Sequence, residues 1–182
     1  MARAIATLCL VLGLGLPLCA GTPDSEKGKG LQVFLSEVQP GSMATQQYCM
    51  LVFADHKFHA EKAVLNKGKD RERTTYESDL SDSDWNTLMG ILDSEQFRKI
   101  HIARTAAPLV VPDAHAYTIA VARGNEIQNM EFLDKKSRKP YDAQLKPLLE
   151  WWKSVRNRRM PKSDASPDSR CALDSSHGIF AY

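Results

Sequence analysis

The sequence lacks the features that mark several common functional classes. Its formal net charge is only +2 over 182 residues, whereas a nucleic-acid-binding domain usually carries a strongly basic surface. It contains no G-x-S-x-G or H-E-x-x-H motif and no cysteine pair at metal-ligand spacing. These motifs mark serine hydrolases, zinc peptidases and structural zinc sites. We therefore predict no cofactor, no metal ion and no nucleic-acid partner.

The sequence also has no apolar run long enough for a membrane-spanning helix. Residues 5–16 form an apolar run of about a dozen residues, and a spanning helix needs roughly 20. Arg3 precedes the run and small residues follow it, the order of a secretory signal. We predict a cleaved signal at residues 1–20 and export to the periplasm or beyond. The alternative is a lipoprotein acylated at Cys19, although Leu18 stands where a small residue is usual.

The exported part is predicted to be one domain. Residues 21–30 form a polar, flexible linker, residues 31–160 the domain, and residues 161–182 a tail rich in serine and aspartate that we expect to be disordered. Cys49 and Cys171 are the only cysteines beyond the signal. Because secretory compartments are oxidising, they are predicted to pair. The alternative is that Cys49 is a free, buried residue.

Hydrophobic periodicity predicts an α+β fold. Six short segments have the alternation or the short apolar runs of strands, and Gly124 gives the last two the turn of a hairpin. Two longer segments have apolar residues three and four apart, as in amphipathic helices; Ser81 would cap the first, and Pro147 would lie in the opening turn of the second. We expect an antiparallel sheet of five or six strands with two helices on one face. The strands are placed at residues 31–35, 48–54, 58–65, 71–77, 116–122 and 126–132, and the helices at 81–97 and 140–158.

Asp113 and His115 are the candidates for catalysis. Residues two apart project to the same side of an extended backbone, so the carboxylate is placed to orient the imidazole, and His101 is a third group that would join them. Catalysis also needs a nucleophile or a metal, and no motif supplies one. The alternative is that Asp113 caps the entry to a strand and His115 is simply exposed.

A second histidine cluster comprises His56, His59 and Glu61, whose side chains are metal ligands in other proteins. Residues 59 and 61 share one face of a strand, whereas His56 lies in the preceding turn and need not point with them. We therefore predict no metal site here and expect these residues to be solvent-exposed charges of a hairpin.

The predicted binding surface is either an edge of the sheet or the flank of the second helix near its end. Arg156, Arg158 and Arg159 would meet an acidic partner or anionic headgroups, or simply complement the helix dipole. Trp151 and Trp152 are adjacent, so we expect only one to point into the core. The other would lie near the helix flank and anchor a partner, or, as the alternative, pack against the loop at residues 101–114. The predicted binding residues are Trp151, Arg156, Arg158 and Arg159.

The order of three motifs resembles that of small bacterial secreted domains. These motifs are Leu-Ser-Asp-Ser-Asp-Trp, Pro-Asp-Ala-His-Ala-Tyr-Thr-Ile-Ala-Val and Leu-Lys-Pro-Leu-Leu-Glu-Trp-Trp. The region Ala114 to Val155 resembles emfourin, a proteinaceous inhibitor of metallopeptidases. The resemblance implies a bacterial source and binding to a peptidase, and it transfers no inhibitory residue to this chain.

These observations favour a noncatalytic protein-binding module of the cell envelope or extracellular space, with peptidase inhibition as one form of that binding. The partner would be another secreted or envelope protein, and a membrane would be involved only if Cys19 is lipidated. The first alternative is a small hydrolase or metal-dependent enzyme that uses Asp113 and His115. The second is a structural envelope protein anchored by a lipid at Cys19.

Overall fold

The computed structural model describes residues 30–66, 71–102, 115–158, 160–163 and 171. Several predictions fall outside these residues: the signal at 1–20 with Cys19, nearly all of the linker, Asp113, and all of the tail after residue 163 except Cys171. The side chain of Arg159 also lies outside the described part.

The described strands form one antiparallel sheet, which confirms the α+β prediction. The order of the seven strands is β6-β5-β1-β2-β3-β4-β7. The sheet exceeds the predicted five or six strands because the two-residue strand β7, in a segment expected to be disordered, pairs with Thr75 and Tyr76 on β4. The strands are β1 (Leu31–Gln39), β2 (Ala44–Phe53), β3 (Lys57–Asn66), β4 (Arg71–Asp79), β5 (Ala116–Arg123), β6 (Glu126–Phe132) and β7 (Lys162–Ser163).

The helices are α1 (Asp82–Asp93), α2 (Glu95–Arg98), α3 (Lys135–Arg138) and α4 (Asp142–Arg156), with a 3-10 turn at Lys139–Tyr141 before α4. The Ser81 side chain accepts the backbone N–H of Asp84, as predicted. The first predicted helix is divided because Ser94 has extended backbone and caps α2. Pro147 lies inside α4 rather than in its opening turn. No helix in the described part of the chain has both the length and the apolar character needed to cross a membrane.

The main core lies between the helices and one face of the sheet, which we call the helix face. Leu88 and Leu92 of α1 and Leu145 and Leu148 of α4 are at most 1% exposed. They pack with the alternating apolar residues of the strands. Burial of each leucine side chain contributes roughly 1.5–3 kcal/mol, so this layer is a major source of stability.

The opposite face of the sheet carries a smaller cluster, and we call it the disulfide face. The predicted disulfide between Cys49 and Cys171 is confirmed, and it joins positions 122 residues apart in sequence. The bond places Cys171 against the strands, among buried apolar residues that include Leu31, Phe34, Leu51 and Ala120.

Candidate functional site

The candidate site is built around Glu37, near the end of β1. Glu37 follows Val33 and Leu35 in the alternation along the strand, so its side chain lies on the helix face, and it is only 3% exposed. Its cross-strand neighbours are Tyr48 on β2 and Tyr117 on β5. A buried carboxylate between two aromatic residues must be paired and hydrogen-bonded to be tolerated.

This carboxylate has several side-chain partners. The hydroxyl of Tyr117 donates to Oε1 of Glu37 at 2.6 Å, and Nε2 of His115 lies 2.7 Å from the same oxygen. Arg156 donates from Nη1 to the other oxygen, Oε2. Both carboxylate oxygens therefore have partners, and a charged guanidinium is among them.

These contacts move the pKa values of Glu37 and Tyr117 away from neutrality. Burial raises the pKa of Glu37, but hydrogen bonds from Tyr117, Gln39, Arg156 and His115 outweigh it and hold that pKa at about 2. Burial and the hydrogen bond to the Glu37 carboxylate raise the pKa of Tyr117 to about 12. At neutral pH, Glu37 is therefore a carboxylate and Tyr117 a neutral phenol.

Arg156 is fixed in position by aromatic rings as well as by Glu37. Its guanidinium carbon lies 4.7 Å from the ring centroid of Tyr48 and 5.4 Å from that of Trp152. Cations over aromatic faces are attracted by the ring quadrupole. Arg138 is held similarly, 4.7 Å from the ring centroid of Tyr117. The two arginines are thus ordered before any partner arrives.

A cleft of about 310 Å³ opens beside these arginines, along α4. We call it the α4 cleft. Leu149 contributes apolar surface, and two exposed lysines of α4 stand seven residues apart at its edge. Lys146 faces Glu150 at 3.8 Å, whereas Lys153 forms no ion pair among the described residues. The cleft is lined by Glu37, Tyr117, Arg138, Asp142, Lys146, Leu149, Glu150, Trp152, Lys153 and Arg156.

The structure buries both adjacent tryptophans. Trp151 is 6% exposed and Trp152 is 2% exposed, so the expectation that one of them lies exposed on the helix flank is wrong. The reason is that α4 has neighbours on two sides. Trp152 borders the α4 cleft under Arg156, and Nε1 of Trp151 donates to the backbone carbonyl of Asp84 at 3.1 Å. Trp151 packs between helices and presents no exposed anchor to a partner.

The predicted binding arginines are separated by the fold. Arg158 forms a bidentate pair with Asp84, with N–O distances of 2.6 and 2.7 Å. The hydrogen bond from Arg158 is the main reason that the pKa of Asp84 falls to about 2. This pair joins the end of α4 to the start of α1. Arg156 is the predicted arginine that lines the α4 cleft.

The candidate catalytic residues are only partly described. His115 binds Glu37, a carboxylate distant in sequence. Asp113, its expected partner, lies outside the described residues. His101 is exposed, and its backbone carbonyl accepts the hydroxyl of Tyr141 at 3.4 Å. The expected grouping of residues 101, 113 and 115 therefore stays a prediction.

His59 and Glu61 are buried rather than solvent-exposed, so that expectation is wrong. They are 4% and 5% exposed, and Nε2 of His59 lies 2.9 Å from Oε1 of Glu61. The pair lies on the disulfide face, where the N–H of Cys171 donates to Glu61 at 3.3 Å. The disulfide holds residue 171 over this part of the sheet and so helps to bury the pair. His56 points elsewhere and stacks on the tryptophan of α1.

Sequence analysis missed Glu37, Tyr48, Tyr117 and Arg138. One signal was available for Glu37, because it continues the alternation of the apolar residues Val33 and Leu35 along β1. A charged residue at such a position is a candidate for a buried, paired group. No comparable signal marks the tyrosines, since aromatic residues on the inner face of a strand are ordinary core residues.

Comparison with known families and proteins provides no further assignment. No family model matches the chain, and no curated protein matches it. The resemblance to emfourin therefore stays a prediction.

Proposed function

We propose that the protein is an exported, noncatalytic binding module that receives an acidic segment of another protein in the α4 cleft. The observation that carries this proposal is the set of basic side chains at the cleft. Four basic side chains line it together with three carboxylates, a formal charge of +1, and one of the four, Lys153, forms no ion pair among the described residues. The stretch that contains α4, residues 134–158, has eight basic and three acidic side chains, a formal charge of +5 in a chain whose total is +2. A local excess of one sign steers partners of the opposite sign and selects against others.

The fixed position of the Arg156 side chain supports the same proposal. A guanidinium presents five N–H donors in a planar fork suited to carboxylates, and the contact with Glu37 uses one end of that fork. Glu37, Tyr48 and Trp152 already hold the Arg156 side chain. Binding of a partner's carboxylate would therefore cost little conformational entropy at this side chain. Lys146 and Lys153 then add long-range attraction at the edge of the cleft.

The perturbed pKa values of Glu37 and Tyr117 favour a role in binding for these two groups, rather than a role in proton transfer. A general acid or base works best when its pKa is near the working pH. The pKa of Glu37 is about 2 and that of Tyr117 is about 12. Both groups therefore keep their protonation state at neutral pH, as residues that build a fixed site do.

A second candidate function is an enzyme that uses His115. A carboxylate bound to one imidazole nitrogen orients a histidine for general-base catalysis, and Nε2 of His115 is bound in this way by Glu37 at 2.7 Å. The His115 side chain is 43% exposed, so its other nitrogen has access to solvent. A hydrolytic activity found in the purified protein and abolished by His115→Ala would favour this candidate.

The test uses the purified protein as bait for the secreted and envelope proteins of its host, with retained proteins identified by mass spectrometry. The double variant Lys146→Glu, Lys153→Glu reverses the charge at the edge of the cleft. Lys57→Glu is the matched control, because Lys57 is 67% exposed and lies at the opposite end of the strands. The intact mass of the recovered protein reports whether residues 1–20 were removed and whether a lipid is attached.

The proposal expects one stoichiometric partner with an acidic surface, peptidases included, captured by the wild type and by Lys57→Glu and lost by the double variant. Added salt should weaken that capture, since exposed charges are screened. Equal capture of the partner by the wild type, Lys57→Glu and the double variant would contradict binding in the α4 cleft. Binding to anionic phospholipid vesicles with no protein captured would point to a membrane instead.

A further inference from the structure

A group of metal-ligand side chains lies on the disulfide face, away from the α4 cleft. The sulfur atoms of Cys49 and Cys171 and a carboxylate oxygen of Glu61 all lie within 4.8 Å of one another, and all three residues are buried. Cys49 and Glu61 are direct cross-strand partners on β2 and β3. Cys171 reaches them from the C-terminal segment.

His59 adjoins this group through Glu61; its ring nitrogens are not among the atoms that lie within 4.8 Å of one another, so its Nε2 would have to turn from Glu61 toward the metal to become a fourth ligand. Its Nε2 lies 2.9 Å from Oε1 of Glu61, and its Nδ1 lies 3.1 Å from Oε1 of Glu77. Histidines that bind metals usually have a carboxylate on the other ring nitrogen, which fixes the ring and its tautomer. Glu77 is positioned to serve this purpose for His59.

We propose that Cys49, His59, Glu61 and Cys171 bind a zinc ion when the disulfide is reduced. Two thiolates, one imidazole and one carboxylate are ligands that zinc takes in tetrahedral sites. The disulfide and the metal are then alternative forms of one cross-link between the C-terminal segment and the sheet. This site is independent of the α4 cleft and of any partner bound there.

The change between the two forms balances in electrons and protons. The reductant is a dithiol, which gives up two electrons and two protons and becomes a disulfide. The bond between Cys49 and Cys171 accepts them and breaks to give two thiols. Zinc then displaces both thiol protons to solvent. The sulfur atoms move apart to about 3.8 Å, the separation of two thiolates on a tetrahedral zinc with bonds of about 2.3 Å.

The charges of the zinc form also balance. Two thiolates and the Glu61 carboxylate carry three negative charges. The zinc ion and the guanidinium of Arg73, whose Nε lies 3.5 Å from Oε2 of Glu61, carry three positive charges. The carboxylate of Glu77 adds one more negative charge beside His59, but its side chain is 54% exposed, so solvent screens that charge. The buried part of the site therefore has no net charge and avoids the large penalty of an unpaired ion.

The test compares the oxidised full-length protein with the same protein reduced by a phosphine under nitrogen. Each form is titrated with Zn²⁺, with bound metal counted by mass spectrometry, and with Co²⁺, followed by absorption. We expect one metal per chain in the reduced form, with a thiolate-to-cobalt charge-transfer band, and none in the oxidised form. Glu61→Gln and His59→Ala should each weaken zinc binding at least about tenfold. His56→Ala is the matched control and should bind as the wild type does.

Failure of the reduced protein to bind zinc would overturn the proposal, and so would equal binding by the oxidised protein. Unchanged affinity in both Glu61→Gln and His59→Ala would show that the metal lies elsewhere. If circular dichroism shows that reduction unfolds the chain, added zinc should restore the folded spectrum. An unfolded spectrum in the presence of zinc would equally contradict the site.

Discussion

Replacement of Glu37 by glutamine is the most direct test of how the candidate site is held together. Glu37→Gln keeps the shape of the side chain and removes its negative charge. Arg156 then loses a charged acceptor at a largely buried position, and the amide group offers donors where Tyr117 and His115 need an acceptor. Buried donors without acceptors and unpaired charges are among the most destabilising changes known.

The lowered pKa of Glu37 sets the magnitude. This pKa is 4.5 for an unperturbed glutamate and about 2 in the folded protein. A difference of this size corresponds to about 3 kcal/mol of stability at neutral pH, since one pKa unit is about 1.4 kcal/mol. We therefore expect Glu37→Gln to lower the free energy of unfolding by about 2–4 kcal/mol at pH 7.

The same shift predicts the dependence on pH. Between pH 4.5 and about 2 the unfolded chain binds a proton at Glu37 more strongly than the folded protein does. The contribution of Glu37 is therefore fully present above pH 4.5 and is lost as the pH falls toward 2. Because glutamine does not titrate, the stability difference between wild type and variant should narrow across this range.

The assay is urea unfolding at pH 7, 5 and 3, followed by far-ultraviolet circular dichroism and by the fluorescence of the three tryptophans. Glu150→Gln is the matched control, because the Glu150 side chain is 67% exposed and its pairing with Lys146 is loose. It should change stability by less than about 0.5 kcal/mol. The reasoning is refuted if Glu37→Gln is as stable as this control at pH 7, or if its difference from wild type is the same at pH 3.

Two further predictions concern the connections that hold the C-terminal part of the chain. Replacement of Cys49 and Cys171 by alanine should lower the free energy of unfolding by up to about 5 kcal/mol, since the cross-link joins positions 122 residues apart. Urea unfolding with and without reductant measures this loss, and a wild type whose stability does not change with reductant would contradict it. Asp84→Asn should lower the free energy of unfolding by about 1 kcal/mol through loss of its ion pair with the half-exposed Arg158. Thermal unfolding should show that added salt shrinks this difference, and an unchanged Tm would contradict it.

Local patterns were sufficient to predict most of the individual elements. The two-residue alternation of strands and the three-to-four spacing of helices reflect backbone geometry that each segment carries alone. The cap at Ser81 and the turn at Gly124, whose φ is +66°, also involve only neighbouring residues. The pairing of Cys49 with Cys171 followed from counting, because only two cysteines lie beyond the predicted signal.

The candidate site could not be predicted because residues distant in sequence build it. β1 lies in the sheet between β2 and β5, and this strand order brings Tyr48 and Tyr117 to opposite sides of Glu37. Arg156 arrives from α4, 119 residues after Glu37. No local pattern encodes which strands are neighbours or which helix covers them, so the paired carboxylate was visible only as an unexplained charge in an apolar alternation.

The sequence by itself determined the class of fold, the type and approximate limits of its main elements, and the cysteines available to pair, because these depend on periodicity, turn chemistry and composition. Tertiary structure alone decided that Trp151 and Trp152 are both buried, since that depends on α4 having neighbours on two sides. It also decided that His59 and Glu61 are buried, because the disulfide with Cys49, 122 residues earlier in the sequence, holds residue 171 over them.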